Sequence, residues 1–129
     1  MNFKAWIAAV CAVCMVLVTG SALAGFKTGQ QVVIGSGFAN ADLGYVHNTP
    51  DTTQYIGCYT YAYPNQVYGG CFARDLNGTY ASCYTSNAGM INVISALKAD
   101  GYLLFYWDTN GSCTFVEQET DSMRAPKTP

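Results

Sequence analysis

Charge is what this chain has least of. Lys, Arg, Asp and Glu together make up only 11% of its 129 residues, and the six bases form no cluster. A surface that binds nucleic acid must gather Lys and Arg against phosphates, and a membrane-surface patch needs a polybasic run, so neither is expected. Histidine is reduced to one residue, His47. No Gly-rich phosphate loop or dinucleotide fingerprint occurs, and Ser36 in Gly35-Ser36-Gly37 lacks the G-x-S-x-G context of a nucleophile elbow. No linker, low-complexity tract or long repeat divides the chain. Apolar residues, at 50%, and aromatics, at 14% with ten tyrosines, are plentiful.

The N-terminus reads as an export address. Met1 to Lys4 is a short positive start, Ala5 to Val18 an apolar run, and Ala22-Leu23-Ala24 a small-residue cleavage site. Residues 1–24 are therefore expected to be a removed signal peptide, with Gly25 the first residue of the working protein. The run is shorter than the roughly 20 apolar residues a spanning helix needs, so no membrane span is expected after processing. Cys11 and Cys14 fall inside this leader and are read as apolar filler rather than a C-x-x-C site.

With the leader removed, eight acids face five bases, a net charge of −3. Cys58, Cys71, Cys83 and Cys113 remain. An even number of cysteines in a short exported chain predicts two disulfides, each typically worth about 2–4 kcal/mol, in a periplasmic or secreted protein. Neither a metal nor a cofactor is expected.

Residues 25–119 read as one β-rich domain. Gln31 to Ile34 is a candidate strand whose end the glycines at 35 and 37 bend. Asp42 to His47 is ambiguous, and Asn48 to Asp51 is a loop. Gln54 to Tyr63 alternates, with Ile56, Cys58 and Ala62 on one face and Tyr55, Tyr59, Tyr61 and Tyr63 on the other. Pro64-Asn65 turns the chain, and Val67 to Arg74 returns. Asp75-Leu76-Asn77-Gly78 and Asp108-Thr109-Asn110-Gly111 share a D-x-N-G signature. It suits a type I turn closed by a left-handed glycine. That loop sets Cys71 opposite Cys83 and Trp107 opposite Cys113. The turns also contain formal glycosylation sequons, which turn chemistry explains. They lack the further oxygen ligands of a calcium loop.

Ser86-Asn87 can cap a helix reaching about Ala99, with Met90, Ile91, Ile94 and Leu97 on one face. Tyr102 to Trp107 is apolar throughout, as a central strand buried on both faces would be. Ser112 to Glu119 pairs back to it, and the polar tail 120–129 is expected to be loosely held. Mainly β with one helix, this order suggests an OB-like Greek-key barrel. The alternative is an α+β sandwich with one helix on an antiparallel sheet. A two-residue turn at Pro64-Asn65 sets Cys58 opposite Cys71, so register leaves two pairings open. Cys71–Cys83 with Cys58–Cys113 is preferred; the alternative is Cys58–Cys71 with Cys83–Cys113.

Catalytic groups are few. His47, with Asp42 or Asp51 nearby, could serve a hydrolase. Glu117 and Glu119 share a strand face, which a solvated edge explains. The tyrosines carry more. Tyr55, Tyr59, Tyr61 and Tyr63 on one face, extended by Tyr68, Phe72, Tyr80 and Tyr84, offer flat rings with wet hydroxyls. Such a face stacks on sugars or anchors a protein; high β propensity is the simpler account of tyrosine on a half-solvated sheet.

Tyr55-Ile56-Gly57-Cys58, Cys71, Cys83, Tyr102-Leu103-Leu104-Phe105-Tyr106-Trp107 and Gly111-x-Cys113 together resemble an uncharacterised family of small exported bacterial proteins. The likeness runs from about Gln54 to the C-terminus, and Gln30 to His47 adds little to it. It implies a periplasmic or secreted protein with two disulfides and supplies no catalytic residues. The expected function is a non-enzymatic binding or interaction module using the tyrosine face, with a protein or glycan partner. The alternatives are an inhibitor or toxin-like subunit inserting the loop Asn48 to Thr53 into another protein, and the His47 hydrolase.

Overall fold

The computed structural model describes residues 27–129; the expected leader and its cleavage point lie outside them. The chain forms β1 (Val33–Gly35), β2 (Phe38–Asp42), α1 (Leu43–Asn48), β3 (Tyr55–Tyr63), β4 (Gln66–Arg74), β5 (Tyr80–Thr85), α2 (Ala88–Ser95), β6 (Tyr102–Trp107) and β7 (Cys113–Glu119). The strands make two antiparallel sheets, one ordered β1-β2-β6-β7 and the other β3-β4-β5. The mainly β expectation holds. The sheets do not close into a barrel, so the architecture is that of the α+β sandwich alternative, with two helices rather than one. Among the described residues no helix is long and apolar enough to cross a membrane.

Local chemistry accounts for the second sheet. Tyr63 pairs with Gln66, so Pro64-Asn65 is a two-residue turn, and the register runs back to Tyr55 opposite Arg74. Gly78 takes φ +84° at the next turn, and Gly111 takes φ +77° at its counterpart, the left-handed region glycine enters without a Cβ clash. Asp75 Oδ1 accepts from the backbone N–H groups of Asn77 and Thr79, and Asp108 Oδ1 from those of Asn110 and Ser112. One device therefore closes both hairpins, and it places Cys71 opposite Cys83 and Trp107 opposite Cys113.

The first sheet departs further from expectation. Gly37, at φ +81°, closes a hairpin from β1 into β2, a strand whose five residues all pair with β6. Phe38 to Asp42 carries no β-branched residue, so its strand character comes from this non-local pairing. Within β6, Leu103 and Phe105 are fully buried on the inner face, while Tyr106 on the outer face is exposed. The strand is central but covered on one face only. Asp42 to His47, ambiguous in sequence, is where β2 ends and α1 begins, its Val46 buried in the core.

The core lies between the sheets. Ala39, Ala41, Leu103, Phe105 and Val116 face Ile56, Cys71, Ala73 and Cys83. Helix α2 plugs one side with Ile91 and Ile94; its N-cap Asn87 accepts from the Met90 backbone N–H, as expected, but the helix ends at Ser95, short of Ala99. Gly69 on β4 lets it approach, since a Cβ there would lie 3.1 Å from Ile94 Cδ1.

Disulfides join Cys58 to Cys71 and Cys83 to Cys113, which overturns the preferred pairing and matches the alternative. The reason is tertiary. The Tyr84 backbone N–H donates to the Gly111 carbonyl at 3.1 Å, docking the second D-x-N-G turn on β5 and bringing Cys113 to Cys83. Cys58 and Cys71, facing each other within their sheet, are left to pair.

The tail is also not loose. Arg124 donates through Nη1 to buried Asp42, through Nη2 to Glu119 Oε2 at 2.6 Å and through Nε to Asp121 Oδ2 at 3.0 Å. Its guanidinium lies 4.5 Å from the Tyr102 ring centroid. Further on, Asn48 Nδ2 donates to the Pro126 carbonyl, and Asn48 Oδ1 accepts from the Thr128 backbone N–H and hydroxyl.

Candidate functional site: the tyrosine face

Strand register turns the expected aromatic face into an observed one. Odd positions of β3 point away from the core, and their partners carry that face across the sheet: Tyr55, Tyr59, Tyr61 and Tyr63 from β3, Tyr68 and Phe72 from β4, Tyr80 and Tyr84 from β5. Six of these rings touch in sequence. Tyr55 meets Phe72 with centroids 5.9 Å apart, Phe72 stacks on Tyr59 at 6.2 Å, Tyr59 on Tyr61 at 6.1 Å, and Tyr61 on Tyr68 at 5.4 Å. Tyr63 closes the row edge-on to both Tyr61 and Tyr68. Such pairs are each worth about 0.5–1.5 kcal/mol beyond the area they bury, so the rings brace one another.

Two glycines set how the rings lie. A Cβ at Gly70 would sit 2.7 Å from the Tyr59 hydroxyl and 2.7 Å from the Cys83 carbonyl oxygen, so the Tyr59 ring lies down across β4. Phe72 likewise covers Gly57, at 3.3 Å from the position a Cβ would take. These seats were not recognised in sequence, although the two glycines interrupting an aromatic pattern were the available signal. The face remains open: Tyr63 is 64% exposed and Tyr80 and Tyr84 each 58%. Arg74, at the Tyr55 end, brings the one formal charge to it.

No family model, curated protein or solved structure matches this chain. The site must therefore be read from its own chemistry.

The other sequence candidates are scattered. Asp42 is fully buried beneath Arg124 and also accepts from the Gln30 backbone N–H at 2.9 Å. Burial would lower the Arg124 pKa, but its hydrogen bonds to Asp42 and Glu119 outweigh this and raise it. Burial likewise pushes the Tyr102 phenol upward. Asp51 accepts from the backbone N–H groups of Gln54 and Thr53 and from the side chains of Thr49 and Gln54. The Gln54 backbone N–H first, then Thr49, holds its carboxyl far below the usual range. Among the described residues no carboxylate hydrogen-bonds to His47. Glu117 and Glu119 share the outer face of the first sheet, but Arg124 claims Glu119. Ser36 lies in the β1–β2 turn.

A cleft of about 550 Å³ runs beside β3, at the sheet edge opposite β4. Leu43, Val46, Ile56 and Leu97 supply apolar wall; His47, Asp51, Gln54, Lys98 and Lys127 supply polar groups, and Tyr55 links its rim to the aromatic row. The tail reaches it because Gly44 leaves room for the Ala125 carbonyl.

Proposed function

We propose that this protein is an exported, non-enzymatic binding module whose tyrosine face stacks against a neutral glycan chain. The observation that carries this reading is the continuous row of stacked, open rings on the outer face of β3 and β4. Flat rings bury the apolar faces of sugars while phenol hydroxyls meet sugar hydroxyls at the rim. The near absence of charge on the face favours a neutral ligand over an acidic or basic one. Two disulfides support an oxidising compartment, periplasmic or secreted.

Affinity electrophoresis of the oxidised protein through a panel of neutral polysaccharides tests this. Tyr59→Ser/Tyr61→Ser should abolish retardation, and Tyr63→Ser, whose ring rests on no glycine seat, should weaken it while the protein stays folded. Retardation identical to wild type in both variants would remove the face from consideration. Capture of a protein partner lost in the same variants, with no glycan bound, would transfer the face to the protein-binding reading.

A further inference from the structure

The geometry points to a second binding site: the cleft beside β3 takes a small carboxylate with an apolar flank. Its volume of about 550 Å³ is in the range of small-ligand sites, and its walls mix aliphatic side chains with few polar groups. Those polar groups differ in what they have left to offer. Gln54 is committed: its Oε1 accepts from the Val32 backbone N–H at 3.0 Å, and its Nε2 donates to Thr49 and Asp51. Asp51 is committed too, with both oxygens held within its own loop. Lys98 and Lys127 remain, and among the described residues neither is in an ion pair. His47 lines the same cleft.

The two lysine side chains are therefore the donors left free to meet a ligand. In a chain that is acidic overall, two lysines against one internally engaged aspartate make this a locally positive hollow. An anion is the complement, and a carboxylate fits better than a bare inorganic ion because Leu43, Val46 and Leu97 border the space. The tail completes the site by bringing Lys127 to it. This inference is independent of what the tyrosine face binds.

The ligand chemistry could come from a free organic acid or from the C-terminus of a peptide, and both are tested in amide-resolved NMR titrations of the oxidised protein. Benzoate is compared with benzamide, and N-acetyl-Ala-Phe with its C-terminal amide. An acid should shift the amides of Lys98, Lys127 and Tyr55, with the matching amide binding at least tenfold more weakly. Lys98→Gln/Lys127→Gln should weaken the acid at least tenfold, while Lys27→Gln, outside the cleft, leaves it unchanged. Tighter binding of the peptide acid assigns the peptide source; tighter binding of benzoate assigns the free acid. Equal binding of acid and amide, an unaffected double variant, or no shifts at these residues at millimolar acid would each overturn the site.

Discussion

Replacing Arg124 with Met should cost about 3 kcal/mol of stability, far more than a tail residue would suggest. The side chain is 11% exposed, and its partner Asp42 is 1% exposed. Taking away one partner of a buried ion pair leaves an uncompensated charge, with typical losses of about 3–5 kcal/mol. Here the lower end applies, because Asp42 Oδ2 keeps its hydrogen bonds from Thr28 Oγ1 at 3.3 Å and the Gln30 backbone N–H at 2.9 Å. Only Oδ1 is stripped. For a domain of this size the loss corresponds to a Tm lower by on the order of 15 °C, readable by circular dichroism with urea melts to obtain the free energy. Glu119→Gln is the control: its side chain is 48% exposed, and a surface pair is worth under about 1 kcal/mol. Asp42→Asn combined with Arg124→Met should recover much of the loss, since the buried charge is gone and an acceptor for Gln30 remains. A loss below about 1 kcal/mol for Arg124→Met, or a double variant no better than the single, would refute the argument.

Non-reduced trypsin digestion should release the peptide 28–74 with an internal disulfide and a separate pair joining 75–98 to 99–124, as the bonds Cys58–Cys71 and Cys83–Cys113 require; one species holding all three peptides would contradict them. Removing Cys83–Cys113, which spans 30 residues, should cost about 3.5 kcal/mol by loop-entropy reasoning, against about 3 kcal/mol for Cys58–Cys71, which spans 13. Asp51 has a depressed carboxyl pKa, so the stability it contributes is fully present above the unfolded value near about 4 and declines as pH falls below it. The urea midpoints of wild type and Asp51→Asn should therefore differ at neutral pH and converge in strong acid; a constant gap down to pH 2 would contradict this.

Turn chemistry made the second sheet legible in advance. Pro64-Asn65 and Asp75-Leu76-Asn77-Gly78 each commit a register, and two registers suffice to place the tyrosines on one face and Cys71 opposite both Cys58 and Cys83. What could not be read was the meeting of distant segments. Phe38 to Asp42 becomes a strand because β6 offers an edge, not because its residues favour one. Helix α1 is too short to stand on propensity and depends on burying Val46. The disulfide choice turned on which sheet Cys113 joins, a fact held in the docking of Gly111 on Tyr84. Arg124 looked like part of a solvated tail because its partner lies in a strand that local pattern did not reveal. The cleft was missed for the same reason: His47, Lys98 and Lys127 come from three separate parts of the chain.

The contact between Asp42 and Arg124 spans 82 residues. A polypeptide that has delivered only its first strands holds that acidic group without its counter-ion, so its early portion is less stable than the finished fold. Completion waits for the last segment to emerge. Full strength thus comes only when two distant parts of the chain have met, and early and late residues mature together.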